Sequence, residues 1–214
     1  APTYTAGQIT QWVAPIALYP DPLLSEVLMA STYPDNVSQA VQWSKDHPGQ
    51  QGDAAVSAVA SQPWDASVKS LVAFPQLTAL MGEDPQWVAN LGNAFLAQPQ
   101  DVMDAVQKLR QLAQQTGSLK STPQQKVTTV KRPAASTSTS STASSAAPTV
   151  IKIEPSDPQV VYVPNYNPTV VYGNSWPYTS APPVYLPPPP GQQFADSFVR
   201  GFGYSLGVAT TYAI

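Results

Sequence analysis

Apolar residues recur at helical spacing through the first 119 positions and at strand spacing after position 149. In the first part Ile9, Trp12, Val13 and Ile16 make one stripe, Leu23, Leu24, Val27 and Leu28 a second, and Val37, Ala40 and Val41 a third with Trp43 nearby. Val68, Leu71 and Val72 follow, then Trp87, Leu91 and Phe95, and finally Val102, Val106, Leu109 and Ala113 with Met103 beside them. Start signals precede these stripes. Asp21-Pro22 and Asp84-Pro85 set an N-cap acceptor before a proline whose missing N–H costs nothing in a first turn, and Pro34-Asp35, Pro63-Trp64-Asp65 and Pro99-Gln100-Asp101 repeat the theme. Gly117 is the expected left-handed residue that closes the last and longest helix. A helix with one apolar stripe is not stable alone, so residues 1–119 are expected to form a small all-α domain.

From Ser121 the helical period stops, and residues 133–149 contain only Pro, Ala, Ser and Thr. Without large side chains to offset the ordering of the backbone, residues 120–149 are expected to be a flexible, disordered linker. Val150 to Gly173 then changes the period to two: Val150, Ile151, Lys152 and Ile153 alternate, and Val160, Val161, Tyr162, Val163 and Val170, Val171, Tyr172 are two runs of similar wording. Asn165-Tyr166-Asn167-Pro168 between them reads as a turn, which predicts a hairpin or pair of short strands. Pro164 and Pro168 confine those strands to sheet edges. So small a β unit is marginal alone and should seek a partner surface, whether the helical domain, another copy or a different protein, so Val160, Val161, Tyr162, Val163, Tyr166, Val170, Val171 and Tyr172 are the candidate interaction residues. Residues 174–191, with Pro187 to Pro190 in a row, are expected to be an extended polyproline spacer. In residues 192–214, Phe194, Phe198, Phe202 and Leu206 lie at helical spacing and Gly203 with Gly207 forms a GxxxG step, which predicts a C-terminal helix that pairs through those glycines. The fold class expected is thus mainly α, with a β cassette on a tether.

Composition narrows the chemistry. Cysteine is absent, which removes disulfides, thiolate nucleophiles and cysteine metal sites together. His47, the single histidine, sits in the helix-end phrase Lys45-Asp46-His47-Pro48-Gly49 and lacks a nucleophile elbow, HExxH or phosphate loop beside it. Acids such as Asp101 and Asp104 fall where helix N-termini explain them. No catalytic, metal or cofactor residues are therefore assigned, and an enzyme is not expected; a hydrolase would need acids gathered in a cleft around His47.

Charge is uneven. Residues 1–119 carry four cations against ten acids, whereas 120–152 carry Lys120, Lys126, Lys131, Arg132 and Lys152 and no acid. That stretch is either a solvated tether or a weak contact for anionic envelope polymers. Nucleic acid is not an expected partner, because the helical part is acidic and aromatics do not interleave with Arg. No apolar run approaches the ~20 residues of a membrane span. The chain opens on Ala1-Pro2-Thr3 without Met, the look of a chain after signal-peptide removal or of a trimmed one. Four tryptophans (Trp12, Trp43, Trp64, Trp87) fall in the helical part, where they are core or, with Tyr19, a groove for envelope glycan.

Several phrases, APIALYPDPLLSEVLMASTYP (14–34), QPWDASVKSLVAFPQ (62–76), LGNAFLAQPQDVMDAVQKLR (91–110), GSLKSTPQQKV (117–127) and PSDPQVVYVPNYNPTVVYG (155–173), closely resemble the bacterial domain-of-unknown-function 3300 family. The resemblance implies a secreted Gram-negative envelope protein with a cleaved signal peptide and no established activity; it brings no functional residues. The expectation is a non-catalytic extracytoplasmic interaction protein, in the periplasm, on the outer-membrane surface or outside the cell. Its partner through the cassette would be another copy, giving a fibre or polymer by strand addition, or a different envelope protein.

Overall fold

The computed structural model describes residues 3–123, 125–131, 149–157, 160–173 and 194–200. The helices are α1 (Ala6–Val13), α2 (Asp21–Ser31), α3 (Pro34–Asp46), α4 (Gly52–Ala58), α5 (Ala66–Leu71), α6 (Pro75–Glu83), α7 (Pro85–Ala97) and α8 (Pro99–Gln115). Local chemistry starts them. Thr5 and Gln8 form a reciprocal capping box at α1, Asp65 accepts the Ser67 N–H at α5, and Asp84 accepts the Trp87 N–H at α7. A proline opens α3, α6, α7 and α8, where its fixed φ suits the first turn. Gly117, at φ +77°, ends α8 as expected. α4 and α6 carry no strong periodic signal in the sequence; α6 starts at Pro75, a proline in the same role as the others.

The stripes close on one another around Leu23, Leu24, Val27, Leu71, Phe74, Trp87, Leu91 and Val106, all essentially inaccessible to solvent. α1 packs on α7 and α8, α2 on α5 and α7, and α3 on α6. The α2–α7 contact is backbone to backbone. A Cβ on Gly92 would stand 1.9 Å from the Ser31 carbonyl oxygen, so no side chain is tolerated there.

After the helices come β1 (Gln125–Lys131) and β2 (Thr149–Pro155), antiparallel from Gln125↔Pro155 to Lys131↔Thr149, and β3 (Val160–Tyr166), α9 (Pro168–Val171) and β4 (Phe194–Arg200). β3 and β4 pair antiparallel from Val160↔Arg200 to Tyr166↔Phe194. Three expectations change. The predicted linker 120–149 contains strand β1, because Val127, Thr128, Thr129 and Val130 are four β-branched residues in a row that pair with β2. Residues 132–148 of that linker, with the spacer residues 174–191, lie outside the described residues. Val170 and Val171, read as strand, fall in α9: Asn167 accepts the Thr169 N–H and Pro168 takes the first turn, so the start signal that opens the other helices wins over β-branching. Phe194–Arg200, read as the beginning of a C-terminal helix, is a strand. A spacing of four is even, so it marks one face of a strand as well as one face of a helix. Gly203 and Gly207 lie outside the described residues.

β2, β3 and α9 belong to the same core as the helices: Val150, Ile151, Ile153, Val163, Tyr166, Val171 and Tyr172 are buried with them.

One core residue of α2 is a carboxylic acid. Glu26 of α2 is 2% exposed; Ser70 of α5 hydrogen-bonds its carboxyl, and its Oε1 has no partner among the described residues. Burial, with a smaller push from the Asp65 charge, raises its pKa from 4.5 to about 7. Such a carboxyl stays neutral in the fold at pH values where the unfolded chain has already ionised. The contribution of Glu26 to stability is therefore fullest below pH 4.5, falls between 4.5 and about 7, and is level above. The fall attributable to Glu26 is roughly 3 kcal/mol, and Glu26→Gln should remove most of it, as read from urea unfolding across that pH range.

Candidate functional site

Arg110 lies on the apolar stripe of α8, one turn after Val106 and just before Ala113, and it is fully buried. A guanidinium stays charged at any working pH, so its donors must find acceptors inside the protein. It donates Nε–H to the Ala17 carbonyl (2.8 Å), Nη2–H to the Tyr19 carbonyl (3.0 Å), and Nη1–H to both Asp21 Oδ1 (2.6 Å) and the Ile151 carbonyl (2.9 Å). Three parts of the chain meet there: the 14–20 loop, the first turn of α2, and β2. Asp21 was expected to cap α2. It is instead the first residue of the helix, and its carboxylate turns to Arg110. Burial raises the Asp21 pKa despite Arg110 and the Ile153 N–H, which both favour the anion.

Tyrosines form the second half of the latch. Tyr166 donates its hydroxyl to the Ala14 carbonyl (2.9 Å) and accepts the Leu18 N–H (3.3 Å). Tyr172 donates to the same Ala14 carbonyl (2.8 Å), and the two rings meet edge to face at 6.3 Å. Tyr19 lies fully buried in this cluster, its hydroxyl without a partner among the described residues. Desolvation pushes all three phenols up, so all stay neutral, and Tyr166 and Tyr172 act as donors.

The sheet edges divide sharply. In an antiparallel pair alternate residues turn their peptide groups toward the partner strand and away from it. On β2 the outward groups are those of Ile151 and Ile153, and helix side chains occupy them. Gln107 of α8 donates its amide Nε2–H to the Ile151 carbonyl (3.1 Å) and accepts the Ile151 N–H (2.8 Å), and Asp21 accepts the Ile153 N–H (3.4 Å). That edge is engaged at both groups of Ile151 and at the Ile153 N–H. On β1 the outward groups are those of Gln125, Val127, Thr129 and Lys131. Thr122 exchanges backbone bonds with Gln125, and the Ser121 hydroxyl accepts the Val127 N–H (3.0 Å) and donates to the Val127 carbonyl (3.2 Å). Thr129 and Lys131 have no such partner among the described residues, and Thr129, Val130 and Lys131 are exposed. Among the described residues that end of the edge is unpaired.

Of the surfaces considered for the candidate interaction residues, the helical domain takes part of the set. Val163, Tyr166, Val171 and Tyr172 are buried against the helices, and Val170 is exposed on α9. Val160, Val161 and Tyr162 pair in register with Arg200, Val199 and Phe198 of β4. Arg110, Gln107, Ser121 and Thr129 were not singled out from sequence. Arg110 was the detectable one: a cation at a stripe position of an amphipathic helix announces a buried partner.

Other candidates resolve into structure. Trp87 and Trp64 are buried, donating Nε1–H to the Trp12 carbonyl and to Gln39, and Trp12 packs edge to face on Tyr4. With Tyr19 in the core, the expected aromatic groove is not formed by these residues. His47 caps the end of α3 and stacks on Trp43 at 4.4 Å. A cleft of about 330 Å³ between α3, α6 and α7 has Val37, Val41, Met81 and Val88 on its walls and Asp35 and Lys45 among its polar residues. Among the described residues no three His, Cys, Asp or Glu side chains gather at metal-binding range, and no helix is long and apolar enough to cross a membrane.

A family model described as "Protein of unknown function (DUF3300)" matches residues 5–213. The uncharacterized protein YacH of Escherichia coli (strain K12) is 67% identical over 226 residues, an alignment that covers 99% of this chain and 36% of that protein. The chain therefore spans about a third of the length of that relative. No solved structure matches.

The latch makes two stability predictions. Arg110→Met leaves Asp21 buried without its counter-charge and the Ala17 and Tyr19 carbonyls without their donor, while Gln107 still serves Ile151, so it should cost about 3–5 kcal/mol in denaturant unfolding, with part recovered by adding Asp21→Asn. Among the tyrosines the hydroxyls should separate cleanly. Tyr19→Phe, which removes an unpaired hydroxyl, should be neutral or stabilising, whereas Tyr166→Phe orphans the Leu18 N–H and should cost about 1–2 kcal/mol by the same measurement.

Proposed function

We propose that this chain, which belongs to the DUF3300 family of proteins of unknown function, is a non-catalytic interaction module of the cell envelope that takes a partner's strand onto the open edge of β1. One observation carries the reading. The inner edge of the β1–β2 hairpin and half of its outer edge are filled by the chain's own groups, while Thr129 and Lys131 present outward peptide groups that no described residue occupies. An edge of this kind is a template for β-augmentation, in which main-chain bonds supply affinity and alternate side chains supply specificity.

The docking strand is thereby moved from Val160–Tyr172 to β1. The rest of the hairpin is a rigid mount, held through Gln107, Arg110 and Asp21 to α8 and α2. The non-catalytic part is supported by how the acids are engaged: Asp65 and Asp84 cap helices, Asp21 holds Arg110, and Asp46 and Asp104 accept from Gln42 and Gln100. The extracytoplasmic location follows from the sequence phrases and is part of the proposal.

A photo-crosslinking residue at Lys131, introduced in cells that are then fractionated, tests both parts. The expected result is a discrete larger adduct in the envelope fraction that disappears when Thr129→Pro is added, since proline there removes an outward N–H and no β1–β2 bond. An adduct indifferent to the proline, or one found in the cytoplasmic fraction, contradicts the reading.

A further inference from the structure

We infer that the strand received by β1 is an acidic extended segment of a different protein, carrying two carboxylates five residues apart, one on each face. The inference rests on strand addition at β1 and adds the chemistry of the partner. Lys126 and Lys131 stand on this strand, both exposed and with no ion pair among the described residues. They are five positions apart. Side chains alternate between faces along a strand, so an odd separation puts the two ammonium groups on opposite faces of the hairpin. A strand laid antiparallel on this edge keeps the same alternation, and the residues directly opposite Lys126 and Lys131 are likewise five apart on opposite faces. A carboxylate opposite Lys131 meets its cation on the unpaired end of the edge, and one opposite Lys126 does so once Ser121 leaves Val127 and the added strand reaches that far.

The surrounding charge points the same way. Lys120, Lys126, Lys131 and Arg132 fall within one short stretch that holds no acid. On the hairpin itself Glu154 faces Lys126 from β2, and Lys152 faces Thr128, so β2 adds one charge of each sign and leaves the outer edge cationic. A second copy of β1 fits poorly. Its own run from Gln125 to Lys131 contains no acid, and pairing edge to edge would set Lys126 and Lys131 of both copies along one seam. Hydrophobic fit is modest and local: Val130, 39% exposed beside buried Val150, offers one apolar contact on one face. Ser121 sets the length of the edge. While its hydroxyl holds Val127, Thr129 and Lys131 are the β1 residues left unpaired on this edge among the described residues, and its displacement would lengthen the ladder by one residue pair.

The test uses the full chain and three synthetic peptides of alternating Thr and Val, identical except for Glu, Gln or Lys at two positions five apart. The Glu peptide should bind about tenfold more tightly than the Gln peptide at low salt, the Lys peptide most weakly, and the advantage of Glu should fade as salt is raised. Ser121→Ala should tighten binding of the Glu peptide and Thr129→Pro should abolish it. Amide hydrogen exchange on the unmutated chain gives a second readout, with Thr129 and Lys131 becoming protected when the Glu peptide is added. Equal binding of the Glu and Gln peptides, both lost with Thr129→Pro, overturns the acidic partner and leaves strand addition standing. Binding that ignores Thr129→Pro and protects neither amide overturns strand addition itself, as does failure of all three peptides to bind either the unmutated chain or Ser121→Ala.

Discussion

The burial of one guanidinium organises this protein. A charge that cannot be neutralised must be met by acceptors wherever it is enclosed, and Arg110 is enclosed completely. No single element supplies enough of them. The requirement is satisfied only when the 14–20 loop turns its carbonyls inward, α2 presents Asp21 and β2 arrives with Ile151. The helical stripes alone would close into a bundle; the arginine decides that the bundle includes a strand from more than forty residues further along.

What the sequence revealed and what it hid follow the range of the forces involved. Helix starts are local, a proline or a capping side chain within a few residues of the turn it stabilises, and Asp84, Pro34, Pro99 and Gly117 do what their types predict. Ambiguity entered where two local codes overlap. Asn167-Pro168 and the β-branched run after it signal opposite structures, and the cap prevailed; Phe194 and Phe198 fit either period. β1 was hidden by its neighbours, since KVTTVK opens a stretch that from Pro133 to Thr149 contains only Pro, Ala, Ser and Thr. The site was the least legible part. Gln107 and Ser121 act by folding their side chains against peptide groups of a strand, a use of ordinary polar residues that leaves no pattern in composition or spacing. Asp21 shows the converse error: a residue type suited to one local task was recruited by a distant one.

The hairpin is correspondingly asymmetric. One side is welded to the bundle by side chains that imitate a neighbouring strand, so its position and register are fixed. The other side is closed near the bundle, by Thr122 and Ser121, and opens only toward its far end. On the function proposed, an edge unpaired only at Thr129 and Lys131 among the described residues would limit how many strands could add and in which register, unlike the unlimited pairing that long bare edges invite.

The separation in sequence between Arg110 and Ile151 also gives the molecule a timetable. During synthesis α8 is complete some forty residues before β2 exists, and throughout that interval Arg110 and Gln107 face a seat with nothing in it. The bundle cannot dry that seat early without stranding a charge, so its last closure waits for the strand. Loops of this length make such contacts slow to find compared with the helices that precede them. The arginine thus acts as a check on completeness: the chain can finish folding only after its β region has emerged, and a truncated product that ends before Ile151 keeps an open, hydrated flank.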